Sequence, residues 1–149
     1  MSPDPFEHPI AALTDHPVLS DQEEAILIEQ MLAGKHARAV LHAAPLAARA
    51  ATQDQITLGE DARIKLVRHN QRLVVSMARR YLKSAGDLEL GDLIGFANEG
   101  LLRGIDRFDP AKAGKLSTYV TWWIRQAITR GIADYSRTID LPVHVHEAY

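Results

Sequence analysis

The run LSTYVTWWIRQAITR, residues 116–130, constrains the fold more than any other stretch of this chain. Placed on a helical wheel at about 100° per residue, Val120, Ile124, Ala127, Ile128, Gly131 and Ile132 fall on one arc. Tyr119, Trp122, Trp123, Gln126, Thr129 and Arg130 fall on the opposite arc. A strand would need apolar and polar residues to alternate with a period of two, and no such alternation of useful length occurs anywhere in the chain. The fold class that follows is all-α, a compact helical bundle.

Other segments repeat the helical period. Residues 1–19 carry four prolines and little periodicity, so they read as an extended arm. Ser20 followed by Glu23 has the capping-box spacing, and Ala25, Ile26, Ile28 and Leu32 suit a helix ending near Gly34. Residues 35–59 are alanine-rich and interrupted by Pro45, and read as a connector with partial helix. From Glu60 to about Lys83 the spacing of Ile64, Val67, Leu73, Val74, Met77, Ala78 and Tyr81 predicts one helix, with Gly86 as its stop. A further helix is predicted over Leu90–Asp106 on Leu93, Ile94, Ala97, Leu101, Leu102 and Ile105. Asp109-Pro110 turns the chain into the basic loop AKAGK, Ser117 is the expected N-cap of the tryptophan helix, and that helix is expected to end near Tyr135. The organisation is therefore an arm and first helix over 1–34, a connector over 35–59, a helical domain over 60–140, and the start of a new element over 141–149.

Composition removes several classes of function. The absence of cysteine excludes disulfide scaffolds, thiolate metal sites and cysteine nucleophiles. With no secretory signal and no apolar run near the roughly 20 residues of a bilayer span, a cytoplasmic protein with no membrane partner is expected. No Ser/His/Asp set, phosphate-cradling glycine loop or pair of carboxylates suited to acid–base work is evident, so neither catalysis nor a cofactor is expected. His144, His146 and Glu147 stand too close together, beside Pro142, to argue for a metal; surface or interdomain packing explains them better. Net charge is −2, but its distribution is uneven. Residues 1–61 hold ten acids against three bases, a net of −7, and residues 62–149 hold fourteen bases against nine acids, a net of +5. Contact with a polyanion would fall to the second part, although mixed charge is also ordinary on helical surfaces.

The polar arc of the tryptophan helix is the strongest candidate site. Rings interleaved with an amide, a hydroxyl and a guanidinium suit a flat partner stacked against them, and nucleic-acid bases are such partners. The alternative is that Trp122 and Trp123 both belong to the core, since adjacent residues point about 100° apart and a helix clamped between two neighbours buries both.

The segments NQRLVVSMARRY, DLI with NEGLLRGIDRFD, and STYVTWWIRQAITRGIADYSRTIDLPVHVHE closely resemble the promoter-melting region of the primary-type bacterial sigma factors, the sigma-seventy family. DPFEHPIAALTDHPVLSDQEEAILIEQMLAG is similar, more loosely, to the family's preceding conserved segment. The resemblance implies two partners, the RNA polymerase core and promoter DNA, and allows an anti-sigma protein as a third. It puts Trp122 and Trp123 at the junction of duplex and melted minus-ten DNA, with Gln126, Thr129 and Arg130 facing the last base pairs and their phosphates. One flipped adenine of the single-stranded non-template strand would lie against Tyr119 and Phe108, with Arg125 nearby. A second flipped base would be held by Asn70, Leu73 and Ser117. Phe108 also reads as an ordinary core phenylalanine. Lys112 and Lys115 add charge in the adjoining loop. Asp92, Leu93, Ile94, Asn98 and Leu102 match the surface that docks on the coiled coil of the polymerase largest subunit, and Gly95 and Phe96 fall within it.

The chain departs from the family pattern at several of these positions. Gly95, Phe96 and Ala97 stand where the family usually has glutamine, glutamate and glycine, and Gly91 replaces an apolar residue. Ala113, Gly114, Lys115 and Leu116 stand where it commonly has glycine, an aromatic, lysine and phenylalanine, so two rings are missing; Pro9 replaces another aromatic. Two functions remain in view: an initiation factor that melts the minus-ten element, and a polymerase-binding competitor that keeps the docking helix without melting promoters. Family members continue into further helical domains, so the chain reads as an excised piece or a natural short form.

Overall fold

In a computed structural model, the structure describes residues 7–147, and the side chains of residues 10–138. Among the described residues the elements are helices joined by turns, with no strand. Six α-helices follow in order: α1 (Glu7–Leu13), α2 (Asp21–Val40), α3 (Arg49–His69), α4 (Gln71–Tyr81), α5 (Leu90–Arg107) and α6 (Leu116–Glu147). None is long and apolar enough to cross a membrane. Contacts divide the chain into two units, Met1–Arg72 and Leu73–Tyr149.

In the first unit, α2 begins at the predicted cap. The Glu23 amide donates to Ser20 Oγ at 3.1 Å, and the Ser20 amide donates to Glu23 Oε2 at 3.0 Å. The Ser20 backbone N–H, then its hydroxyl, holds the Glu23 carboxyl below its ordinary value of 4.5, with attraction from His69 a smaller cause. A carboxyl so held stabilises the cap above that value and loses the contribution as pH falls through the lowered one. Ser20→Ala is expected to cost about 1 kcal/mol in urea unfolding at neutral pH. The difference from wild type should shrink as acid protonates Glu23.

The end of α2 differs from expectation. Gly34 does not stop the helix; it lies inside it, opposite Gly59 of α3. A Cβ added to Gly34 would lie 2.7 Å from Gly59 Cα and 2.9 Å from the Gln55 carbonyl oxygen. The two glycines let α2 and α3 pack backbone to backbone as an antiparallel hairpin, with Ile28, Met31, Ala37, Ile56, Ala62 and Leu66 buried. Ile26, assigned to the apolar face, is instead 49% exposed. Arg38 and Glu60 pair across the hairpin. Pro45 separates two short 3-10 turns, Leu41–Ala43 and Leu46–Ala48, so the connector is ordered; its residues 35–40 belong to α2 and its residues 49–59 to α3.

The arm is not extended either. Residues 1–6 lie outside the described part, but Glu7–Leu13 is helix α1. The segment after it is tied to the end of α3 and the start of α4. His69 Nδ1 lies 2.7 Å from the Pro17 carbonyl oxygen, the His69 ring meets that of His16 edge-on at 5.3 Å, and Arg72 Nε donates to the Thr14 carbonyl at 3.1 Å.

One helix predicted over 60–83 is two. At Asn70 the backbone leaves the helical region (φ −101°, ψ 6°). Asn70 Nδ2 donates to the Leu66 carbonyl at 2.7 Å, and Gln71 Nε2 donates to the Val67 carbonyl at 3.0 Å. The Asn70 side chain thus satisfies the Leu66 carbonyl, while the Val67 carbonyl accepts both the Gln71 side-chain amide and the Asn70 main-chain N–H, which is how short amides compete with a continuing helix. After α4 and the turn Leu82–Ser84, Gly86 adopts φ 61°, the left-handed conformation its predicted role as a stop requires.

The second unit is built on α5 against α6. Leu93, Ala97, Leu101 and Ile105 meet the buried stripe Leu116, Val120, Ile124 and Ile128. Three glycines, two on α5 and one on α6, fix how closely the helices approach. A Cβ on Gly100 would lie 2.5 Å from the Trp123 carbonyl oxygen and 2.9 Å from Ile124 Cα; one on Gly104 would lie 3.1 Å from Trp123 Cδ1. A Cβ on Gly131 of α6 would lie 2.5 Å from the Phe96 ring. The helices are antiparallel: Phe96 meets Gly131 and Gly104 meets Trp123, large on small, while between them Gly100 meets Ala127, small on small.

Asp109 folds the turn before α6. Its side chain accepts from the Ala111 amide at 3.0 Å, and its carbonyl accepts from Lys112 and Ala113. Ser117 is not the N-cap. The Tyr119 amide already donates to the Lys115 carbonyl, and α6 starts at Leu116, which is buried and anchors the first turn. The helix also continues past Tyr135 to Glu147, through the position where a new element was expected. The last two residues of that stretch, 148–149, and the side chains of His144, His146 and Glu147 lie outside the described part.

Candidate nucleic-acid interface

The polar arc of α6 carries a connected row of rings. Phe108, at the end of α5, meets Tyr119 with centroids 5.5 Å apart. Tyr119 meets Trp123 at 6.3 Å, and Trp123 meets Trp122 edge-on at 5.2 Å. Exposure rises along the row: Phe108 is 4% exposed, Tyr119 and Trp123 are half-buried, and Trp122 is 53% exposed. Phe108 is therefore a core residue in this chain, as its alternative reading held, and supports Tyr119 from behind.

The two tryptophans divide the roles that sequence could not separate. Trp123 sits at the edge of the polar arc, next to Ala127 on the wheel, and α5 covers part of it through the gap at Gly104. Trp122, one residue earlier, points into solvent. A large apolar ring exposed by half at the end of an aromatic row is free to stack on a flat partner.

Polar groups surround it. Arg125, Gln126, Thr129 and Arg130 are exposed on the following turns. Thr129 turns its hydroxyl back to the Arg125 carbonyl at 2.8 Å, leaving the oxygen's lone pairs outward. Arg130 lies 3.9 Å from Asp134, both largely exposed, a pairing worth about 0–1 kcal/mol that a phosphate readily displaces. Lys112, Lys115 and Ser117 are exposed at the helix start. Leu73 is half-buried in the first turn of α4, and Asn70, in the other unit, spends its amide hydrogen on Leu66.

On α5, Asp92 and Gly95 are exposed, Asn98 and Leu102 half-buried. Leu93 is 0% exposed and Ile94 is also buried, so in the chain by itself they shape this face from within. Asp92 Oδ2 accepts the Glu89 amide at 3.0 Å and so also caps α5. Open space lies over Gly91 and Gly95. Phe96 covers Gly131, so the ring gained at this position serves the α5–α6 contact. Leu116 likewise fills a core position.

Arg107 was missed by sequence reasoning. Its guanidinium carbon lies 5.3 Å from the Trp123 ring centroid, and its carbonyl accepts the Tyr119 hydroxyl at 3.2 Å. Nothing periodic marks such a residue; only the proximity of α5's end to α6 shows it.

An all-helical unit presenting an aromatic row, flanked by guanidinium and amide groups, offers a surface suited to a flat, anionic partner. Residues 66–138 match the family Sigma-70 region 2. The chain is 47% identical over 135 residues to the RNA polymerase principal sigma factor HrdD of Streptomyces viridifaciens, covering 88% of this chain and 40% of that protein. Against the principal sigma factor HrdC of Streptomyces coelicolor it is 40% identical, covering 97% of this chain and 46% of that protein. Against RNA polymerase sigma factor SigA2 of Synechococcus elongatus it is 53% identical over 93 residues, 62% of this chain and 28% of that protein. The chain belongs to the sigma-70 family, of the primary type. It spans less than half the length of these relatives.

Proposed function

We propose that the chain is a sigma-type initiation factor, or the part of one that opens promoters, and that it acts in the cytoplasm on RNA polymerase core and promoter DNA. The observation that carries this reading is Trp122, exposed at the end of the ring row and followed by Arg125, Gln126, Thr129 and Arg130. The coiled coil of the polymerase largest subunit docks on the face of α5 around Asp92, Gly95, Asn98 and Leu102. At the fork, Trp122 and Trp123 stack on the last base pair, Gln126 reads a base edge, and Arg130 takes a phosphate in exchange for Asp134. Tyr119, backed by Phe108 and flanked by Arg125, receives the flipped adenine of the non-template strand. Leu73 and Ser117, both of the second unit, receive the second base. Stacking a base on a ring is worth about 1–3 kcal/mol, close to the cost of unstacking it, so capture alone can drive melting.

Open space over Gly91 and Gly95 and the diversion of Phe96 to Gly131 favour one other reading, a polymerase-binding competitor that docks without melting DNA. One assay separates the two. The chain is mixed with core polymerase and a fluorescent single-stranded minus-ten oligonucleotide. Core-dependent, sequence-specific binding that is lost in Tyr119→Ala supports melting. Core binding with no oligonucleotide binding supports the competitor.

A further inference from the structure

Arg107 touches two members of the ring row and belongs to neither the stacking surface nor the docking face described above. Its main-chain oxygen takes the Tyr119 hydroxyl, and its side chain lies against the Trp123 ring. Gly104, three residues earlier on α5 and so on the same side of the helix, leaves room for the same indole, with Trp123 Cδ1 at 3.1 Å and Trp123 Cβ at 3.2 Å from where its Cβ would stand. The end of α5 therefore holds Trp123 from two directions. Trp122 then packs edge-on against a ring that is itself held.

We propose that Arg107 is a positioning residue for base stacking: through its cation–π contact it fixes Trp123, and a fixed Trp123 sets the plane of Trp122 that a base meets. The proposal rests on the promoter-melting reading above. Its physical ground is that a guanidinium is planar and weakly hydrated, so it stacks on an indole face at little cost in desolvation. The gain to DNA comes from preorganisation: a ring already held loses less freedom when a base arrives. Arg107 itself need not contact the nucleic acid.

The test has two arms. In the free chain, Arg107→Ala is made in a Trp122→Phe background, where Trp123 is the sole indole, and in a Trp123→Phe background, where Trp122 is. Acrylamide quenching of the sole Trp123 should rise clearly on loss of Arg107, and Arg107→Lys should restore only part of the protection. Quenching of the sole Trp122, already exposed, should change less. Unchanged quenching of Trp123 overturns the proposal; thermal melts of each variant show that the comparison is between folded chains.

In complex with core polymerase, Arg107→Ala should weaken binding of a fork-junction minus-ten DNA by roughly 3- to 10-fold, the range expected of a half-exposed cation–π contact. The same substitution should cost nothing further in a Trp123→Ala background. An equal loss in that background means that Arg107 contacts a phosphate directly, which also overturns the proposal. A wild-type chain that binds core but not the fork defeats the melting reading and the DNA half of this one, while the quenching arm still decides whether Arg107 holds Trp123.

Discussion

Trp122→Ala is expected to weaken binding of the single-stranded minus-ten oligonucleotide to the polymerase complex by roughly 5- to 150-fold, the equivalent of the 1–3 kcal/mol that a stacked base contributes. The stability of the free chain should fall by no more than about 1 kcal/mol. Trp122 is already half in water, and its one ring contact, edge-on to Trp123, is of the kind worth about 0.5–1.5 kcal/mol. Binding and folding are thus separable at this residue. They are not separable at Trp123, which lies against Gly104, Arg107 and Tyr119 as well. Trp123→Ala should lower both, and a denaturant titration beside the binding curve distinguishes the two tryptophans. Unaltered oligonucleotide affinity in Trp122→Ala would refute the stacking role.

The second large effect concerns two glycines on one helix. Gly100→Ala and Gly95→Ala make the same chemical change in the interior of α5, and opposite signs are expected. At Gly95 nothing lies within 4 Å of the new methyl, so the substitution keeps only its helix propensity and should stabilise the chain by up to about 1 kcal/mol. At Gly100 the methyl would stand 2.5 Å from the Trp123 carbonyl oxygen and 2.9 Å from Ile124 Cα, both backbone atoms that no rotamer change can move. The helices must separate, and overpacking of this kind costs about 1–3 kcal/mol, enough to outweigh the propensity gain. Because α6 carries Trp122 and Trp123, Gly100→Ala should also shift tryptophan emission while Gly95→Ala leaves it alone. Urea midpoints and emission spectra of the two variants check both statements. Stabilisation by both would show that α5 and α6 do not pack as closely as Gly100 indicates.

The comparison of these glycines shows what could be read from the sequence and what could not. The Ser20 cap, the left-handed turn at Gly86, the Asp109 turn and the apolar stripe Val120, Ile124, Ile128 depend on residues within a few positions of each other, and all are where local rules put them. Gly34 obeys no local rule. By itself it reads as a helix stop, yet Gly59 uses it as a crossing point, and the gain from close packing exceeds the cost of a glycine in a helix. Asn70 was legible only in hindsight: the sequence HNQ offers two amides at one helix end, but apolar spacing continued through it. The segment after α1 looked unattached because its ties, His69 to Pro17 and Arg72 to Thr14, join residues more than fifty positions apart.

For the candidate site the division is similar. The sequence by itself determined that α6 is amphipathic, that its polar arc carries Tyr119, Trp122, Trp123, Gln126, Thr129 and Arg130, and that the chain is of the sigma-70 kind, because periodicity and ordered motifs are properties of the chain alone. Only the tertiary structure decided which tryptophan is free. Adjacent positions on a helix point about 100° apart, so α5 can cover one and leave the other in water. That choice was made by Gly104 and Arg107, which the sequence places well before the rings and the fold places against them.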